Sequence, residues 1–198
     1  MWRSSESAAS MRSMRARGVI VKVLAIVAVT AGTVSLAACT SAPRAPMPTV
    51  SNVDLPRYMG DWYVIASIPT RFEVGAHNAV EHYRLDPDGT VFTRFTFRAG
   101  GFDGKLKSYD SRGYVVDRDT NAIWGIQFLW PFKADYRIVF LDSDYRHVVV
   151  AREKRDYAWI MARDPKVDEG VYAQMVERLA DLGYDVTKLQ PVPQRWQP

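Results

Sequence analysis

His77, Glu81 and His82 are the nearest approach in this chain to a metal-binding or acid–base constellation. Their spacing is His-x-x-x-Glu-His, on a loop running into a strand, whereas the His-Glu-x-x-His zinc motif sets its two histidines on one helix face. Coincidence accounts for it better. His147, the third histidine, sits in a turn and reads as structural. The chain has no Gly-x-Ser-x-Gly nucleophile elbow and no Gly-rich phosphate loop ending in Lys-Ser/Thr. Its one cysteine, Cys39, rules out an internal disulfide and a thiolate zinc cluster. These residues argue for binding rather than catalysis, with no metal and no cofactor expected.

Cys39 carries a different chemistry. Met1 to Gly18 holds four arginines, Val19 to Leu36 is apolar apart from Lys22, and the run ends Leu36-Ala37-Ala38-Cys39. Basic flank, apolar stretch and small residues at a cleavage point make a secretory signal. Leu-Ala-Ala-Cys resembles the bacterial lipobox, which makes residues 1–38 a lipoprotein signal peptide and Cys39 the acylated first residue of the mature chain. A single membrane span is the competing reading, weakened by Lys22 and by the small residues at its end. Thr40, where enterobacterial inner-membrane lipoproteins carry aspartate, points by resemblance to the outer membrane, at its periplasmic face. Residues 39–52 are rich in proline, alanine and serine, and read as a semi-extended tether reaching at most about 40 Å.

The formal charge of +4 invites a nucleic-acid reading. Five of the 26 basic residues and one of the 22 acidic ones precede Cys39, leaving 21 of each. The remainder is neutral overall and calls for no phosphate-binding stripe.

From Asp61 onward, apolar and polar residues alternate in short runs between turn signals, the pattern of an antiparallel all-β barrel. Strands are predicted near 62–68, 80–86, 90–97, 107–116, 122–129, 134–141, 145–151 and 157–163. The turns 86–89, 117–121 and 142–144 are short and acidic. The alternate connections, 70–79, 98–106, 130–133 and 152–156, are longer, so one end of the barrel should be tight and the other rimmed by loops. Asp168 can cap a helix to about Leu182, with Gly183 beyond it and Val171, Met175, Leu179 and Leu182 on its core face. Residues 53–193 form the domain, with 194–198 a loose tail that begins to loosen at Gln190.

Trp62, in Gly60-Asp61-Trp62-Tyr63, needs a cover and a partner for its ring N–H. Arg163, at the end of the last alternating run, can lay its guanidinium on that indole and close the first strand against the eighth. Charges set the inward faces, because an unpaired charge in an apolar lumen is costly. Arg94 turns out, so Val91, Thr93, Phe95 and Phe97 turn in. Asp135 and Arg137 turn out, so Tyr136, Ile138 and Phe140 turn in. Tyr83 and Leu85 oppose His82 and Arg84, and Tyr157, Trp159 and Met161 line the last strand. The same parity places Glu81 inside, where it needs a proton, a partner or a local bulge.

Gly60-Asp61-Trp62-Tyr63, the turn Asp142-Ser143-Asp144-Tyr145-Arg146-His147 and the stretch from Arg155 to Arg163 resemble, in order and spacing, the three signature regions of the lipocalins. With Val53-Asp54-Leu55 and Trp130-Pro131-Phe132, the chain is most similar to the bacterial outer-membrane lipoprotein lipocalins, from about Asn52 to Pro193. The resemblance implies an eight-stranded antiparallel up-and-down β-barrel, the lipocalin calyx, with one C-terminal α-helix packed outside. It makes Gly60, Trp62, Asp144, Tyr145 and Arg163 structural motif residues, and it favours Trp124, Ile126 and Phe128 as inward on the fifth strand. It implies a fatty acid or lysophospholipid, such as one bearing palmitate, as ligand. Haem or an isoprenoid, or an envelope lipoprotein that binds nothing, are the alternatives. Arg71, Arg98, Lys105, Lys133, Arg152, Lys154 and Arg155 fall on the open-end connections, so the mouth is expected to draw an anionic head group.

Overall fold

The computed structural model describes residues 45–196; the signal segment and Cys39 lie outside the described residues. Pro43–Pro198 forms one compact unit. It carries its own cores and closes its own sheet, as an independently folding domain does.

Eight strands follow one another: β1 (Gly60–Ile68), β2 (Ala76–Leu85), β3 (Val91–Ala99), β4 (Leu106–Val115), β5 (Ile123–Leu129), β6 (Phe132–Leu141), β7 (His147–Ala151) and β8 (Ala158–Ala162). Each pairs antiparallel with the next, and β1 pairs with both β2 and β8, so the sheet closes. The predicted strand set and up-and-down order are the observed ones. Only the bounds shift: β2 starts four residues early, at Ala76, and β6 two residues early, at Phe132, so that a two-residue turn, Trp130–Pro131, joins it to β5. The long 130–133 connection expected there is a tight hairpin.

A short helix, α1 (Leu55–Tyr58), precedes β1, capped by Asp54, whose carboxylate accepts from the Arg57 N–H. Helix α2 (Glu169–Asp181) is capped by Asp168, whose side chain accepts from the Gly170 and Val171 N–H groups. Gly183 follows α2 at φ +82°, a conformation that costs glycine little. Met175, Leu179 and Leu182 are buried and Val171 is half-buried against the barrel's outer wall at Ala66, Val149, Ala151 and Ile160.

The chain therefore has two cores. One fills the lower barrel, around Tyr58, Trp62, Val91, Trp124, Ile138 and Met161. The other lies between the outer wall and α2.

Both ends of the domain are tied down, where a tether and a tail were expected. Met47 is buried in the α2 core and its N–H donates to the Glu153 carboxylate (3.1 Å). Val50 and Val53 donate to the carbonyls of Ile138 and Thr120 (3.0 and 2.8 Å). At the far end, β1 pairs with β2 only over Gly60–Tyr63. Beyond that point its edge is free, and Gln190–Pro191 adds to it as β9 at Ala66 and Ser67. The Gln194 amide bridges the open seam, donating to Val64 O (2.7 Å) and Ala79 O (3.1 Å). Buried backbone acceptors need partners, and a segment without periodicity supplies them.

Candidate functional site

The base is closed as the motif residues require. The Arg163 guanidinium lies 3.8 Å from the Trp62 ring centroid. It donates to the carbonyls of Asp61 (2.7 Å), Arg57 (3.0 Å), Tyr58 (3.0 Å), Met59 (2.8 Å) and Tyr145 (3.3 Å). One side chain thus ties together α1, the start of β1 and the β6–β7 turn. Trp62 is fully buried and its ring N–H donates to Tyr58 O (2.9 Å). Gly60 stands at φ +93°, and a Cβ there would come within 3.3 Å of Arg163 Nη1, so only glycine fits without displacement. Tyr145, at φ +59°, accepts from the Asp54 N–H (2.8 Å) and carries the Arg57 guanidinium 4.1 Å from its ring. Asp144 is exposed, and the turn is held instead by Asp142. That carboxylate accepts from the Arg146 and His147 N–H groups and meets His147 Nδ1 at 2.7 Å.

Above this base the barrel is hollow, with a cavity of about 510 Å³ open at the loop-rimmed end. Of the predicted lumen residues, Tyr83, Phe95, Ile126, Phe128, Tyr136, Tyr157 and Trp159 border it. Phe128 does so at the mouth and is mostly exposed. Leu85, Trp124, Ile138 and Met161 belong to the packed base beneath the cavity. Trp124 stacks on Tyr136 (4.9 Å, 11°) and sends its N–H to Asn121 O. Phe97 is buried against Phe95 and Tyr109 without reaching the cavity. Phe140 is turned outward: the pairing of β6 with β7 slips between Ile138 and Phe140, and the extra residue moves Phe140 into the core under α2. A bulge reverses parity for every residue after it, and no sequence alternation marks this one.

The cavity walls hold polar groups that were not singled out for binding. Glu81 does face in, near Glu73 of the β1–β2 loop. The Tyr83 hydroxyl donates to the Glu81 carboxylate, Tyr136 stands 2.9 Å from Tyr83, and Tyr58 2.7 Å from Tyr136. Each phenol has one donor, so the chain runs Tyr58 to Tyr136 to Tyr83 to Glu81. Pairing with a lumen group is therefore how Glu81 is accommodated; β2 does slip against β3, but between His77 and Val80, which leaves Glu81 on the same face as Tyr83. Burial pushes the Glu81 carboxyl up to about 7, opposed by the Tyr83 bond and assisted by Glu73. Burial raises Glu73 as well.

A carboxyl raised on folding is protonated in the folded chain over a pH range where the unfolded chain has released the proton. The folded state then binds more protons, so stability present at low pH is lost as pH rises from about 4.5 through 7. Glu81→Gln keeps an acceptor for Tyr83 and removes the titration. Urea unfolding should show the wild type weaker at pH 8 than at pH 5 by about 1–3 kcal/mol more than the variant. Equal pH dependence in both would contradict the buried, raised carboxyl.

His77, Glu81 and His82 are dispersed: His77 lies edge-on to Phe102 (4.9 Å), His82 pairs with Asp61 (2.6 Å) and Glu81 faces the lumen. No group of three metal-ligating side chains occurs among the described residues.

The mouth is both cationic and apolar. Arg71 and Arg152 border the cavity. Arg155 does not serve the mouth: its Nε donates to Leu182 O (2.6 Å) and its Nη1 to Glu153 O (2.7 Å), pinning the β7–β8 turn to the end of α2. A cation there also suits the helix C-terminus. Arg98 is spent on Gly104 O (3.1 Å), and Lys133 lies 3.7 Å from the Tyr114 ring centroid. Asp135, expected outside, pairs with Arg137 (3.0 Å) and reaches the cavity edge. Around the opening, Phe72, Leu129, Trp130 and Phe132 are 61–80% exposed. The Trp130-Pro131-Phe132 triplet was the available signal for this apolar rim.

The family model of the lipocalin-like domain matches residues 53–194. The chain is 33% identical over 159 residues to temperature-induced lipocalin-1 of Arabidopsis thaliana, covering 75% of this chain and 83% of that one. It is 32% identical over 157 residues to the outer membrane lipoprotein Blc of Escherichia coli K12, covering 76% and 85%. Among solved structures, insecticyanin from the tobacco hornworm Manduca sexta superposes with a TM-score of 0.59 at 13% identity, over 78% of this chain and 86% of that one. A closed eight-stranded barrel, one helix outside it and this breadth of similarity lead to one conclusion: the chain belongs to the lipocalins.

Proposed function

We propose that this protein is a lipid-anchored lipocalin that binds and shuttles a single-chain acyl lipid, a fatty acid or lysophospholipid, at the periplasmic face of the bacterial outer membrane. The observation that carries this reading is the cavity of about 510 Å³, walled mainly by aromatic and aliphatic side chains and closed below by the packed base. An eight-stranded barrel has room for one small ligand, and a narrow apolar pocket suits a hydrocarbon chain. The anchor rests on Leu36-Ala37-Ala38-Cys39 and gains support from relatives named outer membrane lipoproteins. Exposed Trp130, Phe132, Leu129 and Phe72 around the mouth favour exchange with lipid, since such side chains partition into the headgroup boundary.

The anionic end of the ligand meets Arg71 and Arg152 at the opening, with the tail on the aromatic wall. Replacing both arginines with glutamate should weaken palmitate binding by about tenfold at low salt, with the deficit shrinking as salt rises. Lys154→Glu, at an exposed side chain that does not border the cavity, should do much less. Equal affinity in the double variant and wild type at low salt would remove the electrostatic part of the proposal.

A further inference from the structure

The lumen is not uniformly greasy. Tyr83 on β2 pairs with Thr93 on β3, and Thr93 pairs with Ser111 on β4. Three hydroxyl side chains therefore stand side by side in one row around the inner wall. Glu81 sits in the next row towards the mouth, level with Phe95 and Tyr109. All of these border the cavity.

The Tyr83 hydroxyl is engaged with Glu81 and Tyr136. Thr93 and Ser111 are not engaged. They are 5% and 8% exposed, and neither Thr93 Oγ1 nor Ser111 Oγ has a hydrogen-bond partner. A buried hydroxyl without a partner is costly, and valine or alanine would fill either position at no such cost. Two adjacent orphans facing one cavity point to a partner that enters it.

The chemistry of that partner is constrained. A carboxylate at the inner row would meet Glu81, whereas Arg71 and Arg152 stand on the loops at the mouth, so the acid end stays there. An ammonium would require a charged Glu81 in an apolar wall. A hydroxyl fits, because it has two lone pairs for the Thr93 and Ser111 donors and one proton for a carboxyl or hydroxyl oxygen. We infer that this inner row is a hydroxyl-recognition subsite, and that the acyl chain this protein prefers carries a hydroxyl group along its length. The inference rests on the acyl-carrier reading above and narrows its ligand class to hydroxylated acyl chains.

The test uses the 43–198 unit, with palmitic acid and its monohydroxy isomers as probes, followed by tryptophan fluorescence, since Trp159 borders the cavity. One or two neighbouring isomers should bind about tenfold more tightly than palmitic acid, the gain from two added hydrogen bonds. In Thr93→Val/Ser111→Ala the ratio of the two affinities should fall to near one, and each single variant should fall between. The single variants also keep the test valid if the double variant does not fold. If palmitic acid binds and no isomer is preferred, the subsite is overturned and the acyl-carrier reading stands; water then satisfies the two hydroxyls. A preference that survives in the variants overturns the subsite too, by placing recognition elsewhere. Failure of every probe to bind overturns both.

Discussion

Replacing Arg163 with methionine should cost about 3–5 kcal/mol of unfolding free energy, among the largest effects of any single change outside the cores. The side chain donates to five carbonyls drawn from α1, β1 and the β6–β7 turn, and its guanidinium covers Trp62. Methionine retains some cover for the indole but donates nothing. Lysine should recover little, because an ammonium cannot reproduce a planar fork that reaches several acceptors at once. Urea unfolding is the measurement, and at about 2–4 °C per kcal/mol the midpoint of thermal unfolding should drop by roughly 10 °C. A loss below about 1 kcal/mol would show that the base is held by apolar packing alone and that the arginine is dispensable.

Ala134→Trp should weaken acyl binding by roughly two orders of magnitude while leaving the barrel folded. Ala134 pairs with Ile126 across β5 and β6, and both border the cavity. An indole there occupies space that a hydrocarbon chain would fill. Excluding four methylenes at about 0.8 kcal/mol each lowers affinity by roughly two orders of magnitude. The open cavity accepts the added volume more readily than a filled core would, so the stability cost should stay under about 2 kcal/mol. Undiminished palmitate binding in a folded Ala134→Trp variant would place the ligand outside the barrel.

What the sequence revealed and what it concealed follow from the range of the forces involved. Strand alternation, acidic turns, the capped helix and the pairing of Trp62 with Arg163 were legible, because each is written in local pattern or in side chains with few other uses. Tyr83, Phe95, Tyr136, Tyr157 and Trp159 follow from period-two parity, Ile126 from the family resemblance, and all six do reach the cavity. Phe140 does not, because one extra residue in β6 turns it outward, and a bulge is a product of pairing that leaves no mark on alternation. Depth was equally hidden. Parity says which side a residue faces but not how far down the barrel packing stops, so Trp124, Ile138 and Met161 fell in the base and not on the cavity wall. Arg155 looked like a mouth cation because it sits in a mouth loop, yet the carbonyl of Leu182, brought near only by α2, captures it. The fastening of Met47 and Gln194 was invisible for the same reason, since the Glu153 carboxylate that holds Met47 and the Val64 and Ala79 carbonyls that hold Gln194 are brought near only by the closed barrel.

The central claim is that the upper barrel holds one acyl chain. The most direct measurement is the mass of the folded 43–198 unit, delipidated, mixed with palmitate and measured intact under native conditions. A one-to-one adduct with the wild-type unit, strongly reduced in Ala134→Trp at the palmitate concentration that half-saturates the wild type, is the predicted result. The bare polypeptide mass at saturating palmitate, or an equal adduct in both proteins, would contradict it.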